Sequence, residues 1–158
     1  MSFPIRKATR LQGYDYSQNG AYFITVCTRN KRKLFCDIVG EGLCALPRQK
    51  LTPIGKVVEN TILYLDDTYE DISVDKFIVM PNHIHCLLQI YSSGGRGGPP
   101  LPQWVGQLKS FTTHQYGGRL WQRSFHDHII RNQRDYDRIW NYIDTNPIRW
   151  ENDCFFVK

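Results

Sequence analysis

Residues 73–90, SVDKFIVMPNHIHCLLQI, contain the pattern that decides the fold. The segments 73–79 and 83–90 are rich in β-branched and other apolar residues, which is typical of strands. Pro81 and Asn82 stand between them, and both residue types favour turns. The stretch therefore predicts two strands joined by a tight turn, a β-hairpin in the middle of the chain.

Strand and helix patterns alternate on either side of this hairpin. Residues 21–27, AYFITVC, have the composition of a strand, and residues 121–131 suggest another. One helix is predicted to start at Thr52, directly before Pro53. A second is predicted over residues 101–116, because apolar side chains recur there at helical spacing. The predicted apolar stripe of this second helix consists of Leu101, Trp104, Val105, Leu108 and Phe111.

Four further segments complete the plan. Residues 34–46 are expected to form an additional hairpin, and residues 92–100, SSGGRGGPP, a flexible loop. A last helix is predicted over residues 133–146, followed by a tail whose aromatic residues dock onto the body. Without the extra hairpin and this helix, the order is β-α-β-β-α-β. That order predicts an α+β, ferredoxin-like fold, with an antiparallel sheet, helices on one face and the other face open to a ligand.

Composition limits the classes of protein to consider. The chain has 158 residues, of which 41% are hydrophobic, enough for one folded domain and too many for a disordered chain. No apolar run approaches the length of a membrane span, and no apolar stretch follows the basic N-terminus as in a secretory signal. The five cysteines show no CxxC spacing, which favours reduced thiols in the cytoplasm over disulfides or a cysteine zinc site.

Positive charge is concentrated near the N-terminus. The formal net charge is +5, yet residues 1–33 carry seven basic side chains against the single carboxylate of Asp15. Such an excess suits a polyanionic partner, and it equally suits a solvated face that aids solubility. Charge alone does not decide between these two hypotheses.

Two histidine pairs have the spacing of metal ligands on a strand. His83 and His85 are separated by one residue, so a strand projects them to the same side, and paired imidazoles form half of a metal site. His126 and His128 have the same spacing. Such pairs also occur without any metal, and periodicity does not choose between the two.

The last predicted helix offers a nucleophile. Tyr142 and Asn146 lie one turn apart on one helical face. A phenol can attack phosphorus, and an amide oxygen can bind a metal ion. The alternative is a packing tyrosine followed by an Asn-Pro helix end.

Longer stretches carry a family resemblance. The string MPNHIH, residues 80–85, resembles the His-hydrophobic-His motif of HUH enzymes. Residues 121–150, WQRSFHDHIIRNQRDYDRIWNYIDTNPIRW, resemble the C-terminal signature of REP-associated tyrosine transposases and their insertion-sequence relatives. Residues 6–35, RKATRLQGYDYSQNGAYFITVCTRNKRKLF, are similar to the opening of the same group. The resemblance covers nearly the whole chain in the same order.

This resemblance implies one transposase (HUH nuclease) domain over residues 1–158, built on a ferredoxin-like sheet. It implies a metal site at His83 and His85, completed by Asn146, and a nucleophile at Tyr142. The implied activity is cleavage and rejoining of single-stranded DNA at hairpin-flanked sites through a 5′-phosphotyrosine intermediate, with Mg²⁺ or Mn²⁺ as cofactor. The same resemblance makes Tyr136 a weaker candidate for the nucleophile and the His126/His128 pair a weaker candidate for the metal site. His126 stands where relatives often have an aromatic residue.

The implied partner is single-stranded DNA carrying a hairpin, in the cytoplasm and associated with the nucleoid. Both a monomer and a homodimer are compatible with the family. The candidates for phosphate contacts are Arg29, Lys31, Arg32, Lys33, Arg119, Arg123, Arg131 and Arg134. Tyr14, Tyr16 or Trp121 could stack on bases, with core packing favoured for Trp121. Two other hypotheses remain: a zinc-dependent hydrolase that uses both histidine pairs, and a nucleic-acid-binding protein without catalysis.

Overall fold

The computed structural model describes residues 11–40, 45–91 and 101–158. The predicted loop 92–100, the centre of the extra hairpin and the basic residues Arg6, Lys7 and Arg10 lie outside the described residues. In chain order the elements are β1 (Gly20–Cys27), β2 (Cys36–Val39), β3 (Arg48–Leu51), α1 (Pro53–Thr68), β4 (Ile72–Met80), β5 (His83–Ile90), α2 (Leu101–Tyr116), β6 (His126–Ile130) and α3 (Gln133–Thr145).

The main sheet has four strands in the order β4-β5-β1-β6. Every pairing in it is antiparallel. The central hairpin forms as predicted, with Met80 opposite His83 across the turn. The order of strands and helices is that of the ferredoxin-like plan, so the predicted α+β fold class is confirmed. A separate two-stranded sheet joins β2 to β3.

Helices α1 and α2 pack on one face of the main sheet and on each other. Thr52 begins α1 because its side chain accepts a hydrogen bond from the Gly55 amide at 3.1 Å, while Pro53 occupies the first turn. The buried face of α2 differs from the prediction at one position. Phe111 is 45% exposed, and Thr112 is buried in its place. The Thr112 hydroxyl donates to the Leu108 carbonyl and accepts from the Trp121 indole, which satisfies it in the core.

The opposite sheet face is not open, contrary to the expectation from the sequence. Helix α3 and the C-terminal tail cover it, and Ile139, Ile143 and Trp150 are buried against β4 and β5. The last helix and the docked aromatic tail were both predicted. Their position was not, because a strand order does not specify what lies over the second face.

Polar contacts fasten α3 to the sheet of its own chain. The Tyr136 hydroxyl donates to Asp75 on β4 at 2.6 Å. Lys76, also on β4, forms an ion pair with Asp144 at 2.5 Å, and its ammonium lies 4.2 Å from the centre of the Trp140 ring. Because these contacts lie at both ends of the helix, they fix the direction in which its remaining side chains point.

Other expectations are corrected in detail. The second strand of the extra hairpin lies at Arg48–Leu51, beyond the predicted range 34–46. The last strand is confined to His126–Ile130, with only an isolated bridge between Trp121 and Thr28 before it. Tyr16 is buried in the core and therefore cannot stack on a base.

Trp121 is buried beside Phe35, with ring centroids 5.0 Å apart, so the predicted core packing of Trp121 is confirmed. Cys27, Cys36, Cys86 and Cys154, the cysteines within the described residues, are free thiols. Among the helices described, none has the length and apolar character needed to cross a membrane.

Candidate metal centre and tyrosine site

Strand β5 places His83 and His85 on the sheet face that α3 covers. Ile84 and Cys86 point to the other face, into the core beneath α1 and α2. The Nε2 atoms of the two histidines are 3.0 Å apart, and both side chains are almost fully buried. The structure therefore brings together the two imidazoles that strand periodicity paired.

The outer nitrogen of each imidazole has its own partner. His83 Nδ1 lies 2.8 Å from the side-chain oxygen of Asn82, the turn residue before it. His85 Nδ1 lies 2.8 Å from the Thr25 hydroxyl, on the neighbouring strand β1. These contacts orient both Nε2 atoms towards the same space.

Asp153 also belongs to this cluster, and no sequence pattern predicts it. Its carboxylate and the ligand nitrogens of His83 and His85 lie within 4.8 Å of one another. The Asp153 Oδ1 atom accepts from the Phe155 amide at 2.8 Å, which leaves Oδ2 facing the site. Asp153 lies in the irregular tail, where no periodic spacing marks it. The one available signal was an acid among the aromatic residues that were expected to dock.

Asn146, which the family resemblance implies as a further ligand, lies next to Asp153. Its amide nitrogen donates to Asp153 Oδ2 at 3.3 Å. Its Oδ1 atom is buried and has no hydrogen-bond partner among the described residues. A buried acceptor without a donor is unfavourable, and a cation would satisfy it. The donor set of two imidazoles, a carboxylate and an amide oxygen therefore fits a divalent metal ion.

Tyr142 stands beside this cluster, half-buried. Its ring centroid is 5.3 Å from that of His85, and its hydroxyl lies 3.5 Å from Asp153 Oδ2. Burial, followed by the negative charge of Asp153, raises the pKa of the Tyr142 phenol to about 12. The groups of the chain itself therefore keep this hydroxyl protonated at neutral pH.

Both imidazoles are neutral at the same pH. Burial lowers the pKa of His83 to about 4, although Asp153 and Asn146 act in the opposite direction. Burial, and then the proximity of His83, hold the pKa of His85 well below its usual value. Neutral imidazole is the form that binds a metal ion, so the environment keeps both residues ready for that role.

The second histidine pair lies apart from the cluster. His126 and His128 are on the edge strand β6, and β1 separates that strand from β5. Both side chains are exposed, and His128 Nε2 lies within hydrogen-bond distance of Asp135 Oδ2, at 2.6 Å. Within residues 11–40, 45–91 and 101–158, His83, His85 and Asp153 form the one cluster of three or more metal-binding histidine, cysteine or acidic side chains.

Most of the predicted phosphate-binding residues lie at the histidine end of the sheet. The turn after β1, which carries Arg29, Lys31, Arg32 and Lys33, is tied to the segment of Arg119: the Arg32 guanidinium donates to the Arg119 carbonyl at 2.9 Å. The Asn82 amide donates to the Lys31 carbonyl at 3.3 Å, which connects this turn to His83. Arg123 is exposed just beyond Trp121. Arg131 follows the far end of β6, away from this group.

Comparisons with known proteins identify several relatives of this chain. No protein-family model matches the chain. An uncharacterized protein of Haemophilus influenzae is 30% identical over 174 aligned residues, spanning 96% of this chain and 93% of that protein. A REP-associated tyrosine transposase of Escherichia coli (strain K12) is 27% identical over 137 residues, spanning 85% and 70% of the two chains.

A solved structure has a similar fold. It is described as a REP associated tyrosine transposase bound to a REP hairpin, and it covers 89% of this chain and 73% of its own with a TM-score of 0.67 at 24% identity. The sequence relationships, the shared fold and the MPNHIH strand agree. The chain is therefore a relative of the REP-associated tyrosine transposases and shares their fold.

Proposed function

We propose that this protein cleaves and rejoins single-stranded DNA through a covalent link between Tyr142 and a 5′ phosphate. The observation that carries the proposal is the meeting of a phenol with a four-residue set of metal-binding groups. His83 and His85 come from β5, Asn146 from the end of α3 and Asp153 from the tail. These residues are far apart in sequence, and three different elements of the fold bring them together.

The ligand set defines the class of cofactor. Oxygen ligands suit Mg²⁺ and Mn²⁺, and imidazole shifts the preference towards Mn²⁺, with Zn²⁺ as the competitor. A divalent ion held here supplies positive charge beside the scissile phosphate and the leaving 3′ oxygen. The residues of the chain position that charge next to the Tyr142 hydroxyl.

The tyrosine step conserves the number of phosphate ester bonds. The Tyr142 oxygen forms a bond to phosphorus as the bond from phosphorus to the 3′ oxygen breaks. The phenol loses its proton, and Asp153 Oδ2, 3.5 Å away, is placed to accept it. The departing 3′ oxygen gains a proton and becomes the hydroxyl that attacks the phosphotyrosine in the rejoining step. No nucleotide cofactor is consumed.

The substrate is a single strand with a hairpin beside the cut. The exposed cations of the turn after β1, with Arg119 and Arg123, flank the histidine end of the sheet, which supports a role for them in binding the phosphate backbone. A relative bound to a REP hairpin supports a hairpin as the recognised element. The contacts that hold α3 to β4 of the same chain support Tyr142 as the nucleophile of its own site.

The decisive experiment looks for the covalent intermediate. Hairpin-bearing single strands are incubated with the protein and Mn²⁺, and the products are separated on a denaturing gel. We expect a protein–DNA adduct that is absent when EDTA is added. DNA binding without cleavage would instead identify a binding protein. Cleavage with Zn²⁺ that never yields an adduct would identify a hydrolase.

A further inference from the structure

We infer that Asn82 and Thr25 are positioning residues that set the tautomers of the two histidine ligands: Asn82 fixes that of His83, and Thr25 allows that of His85 to change. The inference rests on the metal site proposed above. Its observations are four contacts among buried side chains, from Thr25 to His85, to His83, to Asn82 and on to the backbone.

The orientation of the Asn82 amide is the starting point. Its Nδ2 atom lies 2.7 Å from the Phe155 carbonyl and 3.3 Å from the Lys31 carbonyl. Carbonyl oxygens only accept hydrogen bonds, so the NH₂ group must face them and Oδ1 must face His83. The opposite orientation would place Oδ1 against two further oxygens. The orientation is therefore determined by its partners, although amide oxygen and nitrogen have similar shapes.

The tautomer of His83 follows directly. The Oδ1 atom of Asn82 accepts, so His83 Nδ1 must carry the hydrogen and donate across the 2.8 Å contact. A neutral imidazole has one N–H, so the Nε2 atom of His83 bears a lone pair. This is the form that a metal ligand needs, and Asn82 imposes it.

His85 is then constrained from the other side. Its Nε2 atom is 3.0 Å from the lone pair of His83 Nε2, and two lone pairs at that distance repel each other. His85 Nε2 must therefore carry its hydrogen and donate it to His83. Consequently His85 Nδ1 accepts, and the Thr25 hydroxyl donates to it over 2.8 Å. All the hydrogen bonds run in one direction, from Thr25 to the carbonyls beyond Asn82.

A metal ion that binds both Nε2 atoms requires one change in this chain. The hydrogen of His85 must leave Nε2, and one must be placed on Nδ1. Thr25 can accommodate this because a hydroxyl both donates and accepts, so rotation about its C–O bond turns it into an acceptor for Nδ1–H. The imidazole holds one proton on a ring nitrogen before and after, so its own charge does not change. Ligating histidines commonly need such a partner on the other nitrogen.

The direct test measures tautomers in the wild-type protein. With ¹⁵N-labelled histidine in EDTA at pH 7.5, long-range ¹H–¹⁵N spectra should show His83 protonated at Nδ1 and His85 at Nε2. Adding Zn²⁺ as a diamagnetic probe should leave His83 unchanged and move the His85 proton to Nδ1. Finding His85 already protonated at Nδ1 in EDTA would overturn the inference, as would metal binding that leaves the proton on Nε2.

A pair of variants tests Thr25 by affinity. Thr25→Val keeps the branched shape and removes the hydroxyl, whereas Thr25→Ser keeps the hydroxyl. We expect the Kd for Mn²⁺, measured by calorimetry on folded protein, to rise about 10- to 100-fold in the valine variant. The Kd of the serine variant should stay within about threefold of the wild-type value, because its hydroxyl is retained. Unchanged affinity of a folded Thr25→Val protein would refute the role of Thr25.

Failure of the inference and failure of the proposed function give different results. Metal binding together with the wrong His85 tautomer contradicts only the inference. A second possible outcome is that the spectra in EDTA show the expected tautomers but the protein binds neither Mn²⁺ nor Zn²⁺. That outcome would contradict the proposed function and the role of Thr25 in metal binding. The tautomer spectra of the wild-type protein decide the matter even if Thr25→Val does not fold.

Discussion

The hydroxyl of Tyr142 faces the carboxylate of Asp153 across 3.5 Å, although one residue lies on α3 and the other in the tail beyond it. The contact joins the proposed nucleophile to a proposed metal ligand. Burial is the main cause of the raised pKa of the phenol, and the contact raises it further, because a negative carboxylate opposes the formation of a phenolate. The pair therefore links metal binding to the state of the nucleophile, and both members can be tested separately.

Removing the Tyr142 hydroxyl should abolish the covalent adduct. Tyr142→Phe keeps the ring against Phe23 and His85 and deletes the one atom that can be joined to DNA. Folding and DNA binding should persist, measured by thermal unfolding and by fluorescence anisotropy. The control is Tyr136→Phe on the same helix, which loses the bond to Asp75 and about 1 kcal/mol of stability but still forms the adduct. A DNA-linked peptide that contains a residue other than Tyr142 would refute the assignment.

Neutralising Asp153 should weaken metal binding. Asp153→Asn retains the size of the side chain and removes the only charged group of the ligand set, so we expect the Kd for Mn²⁺ to rise at least about tenfold, ~1.4 kcal/mol. The pKa of Tyr142 should fall from about 12, because the carboxylate that raises it is gone. Calorimetry measures the first effect, and ultraviolet titration against Tyr142→Phe measures the second.

The matched control for Asp153 is Glu151→Gln. Glu151 is an exposed acid two residues earlier in the same tail. This variant changes the net charge by the same amount and should leave both the metal affinity and the tyrosine titration unchanged. Equal effects in the two variants would show a general charge effect and contradict a ligand role for Asp153.

Neutralising the turn after β1 should weaken binding to every strand alike. Lys33→Gln, and the triple variant that also changes Lys31 and Arg32, remove cations beside the histidine end of the sheet. The dependence of log K on log salt should flatten by about 0.7 for each phosphate of a single strand that the protein no longer neutralises. Lys56→Gln is the control, because Lys56 is paired with Glu59 on α1. An unchanged affinity and slope would remove this turn from the proposed DNA path.

Two glycine substitutions test the packing of the fold independently of function. A Cβ atom at Gly55 would lie 1.9 Å from the Phe35 carbonyl oxygen, so Gly55→Ala must push α1 away from the preceding segment. We expect a loss of about 3 kcal/mol or more in the free energy of unfolding by urea. Gly106→Ala, in the middle of α2, meets no atom within 4 Å and should stabilise the protein by about 0.5–1 kcal/mol. A mild effect at Gly55 would contradict the described close approach.

The elements that could be predicted are those with local patterns. The hairpin of β4 and β5 and the start of α1 follow from turn and capping residues, and the shared side of His83 and His85 follows from strand periodicity. The stripe of α2 fails at its end for a physical reason. Positions 111 and 112 are both about one turn beyond Leu108, and the buried one, Thr112, accepts a hydrogen bond from Trp121, a tertiary contact that helical spacing does not encode.

The parts of the site that could not be predicted depend on tertiary structure. Asp153 lies in a tail whose course is set by the packing of Trp150 and Phe156 on the sheet, so its distance from the histidines has no counterpart in sequence spacing. Spacing alone also makes His126 and His128 as good a candidate metal-binding pair as His83 and His85. Only the strand order places that pair on an edge strand.

Asn82 joins the C-terminal tail to a proposed metal ligand through a single side chain, since its amide donates to the Phe155 carbonyl while its oxygen accepts from His83. Docking of the tail and ion binding at His83 are therefore coupled equilibria, and such coupling is reciprocal. Whatever free energy the docked tail contributes to the affinity for the ion, the bound ion contributes to tail docking. Hydrogen exchange at the Phe155 amide should accordingly slow as the ion concentration rises, which makes the last few residues of the chain a reporter of events at the histidines.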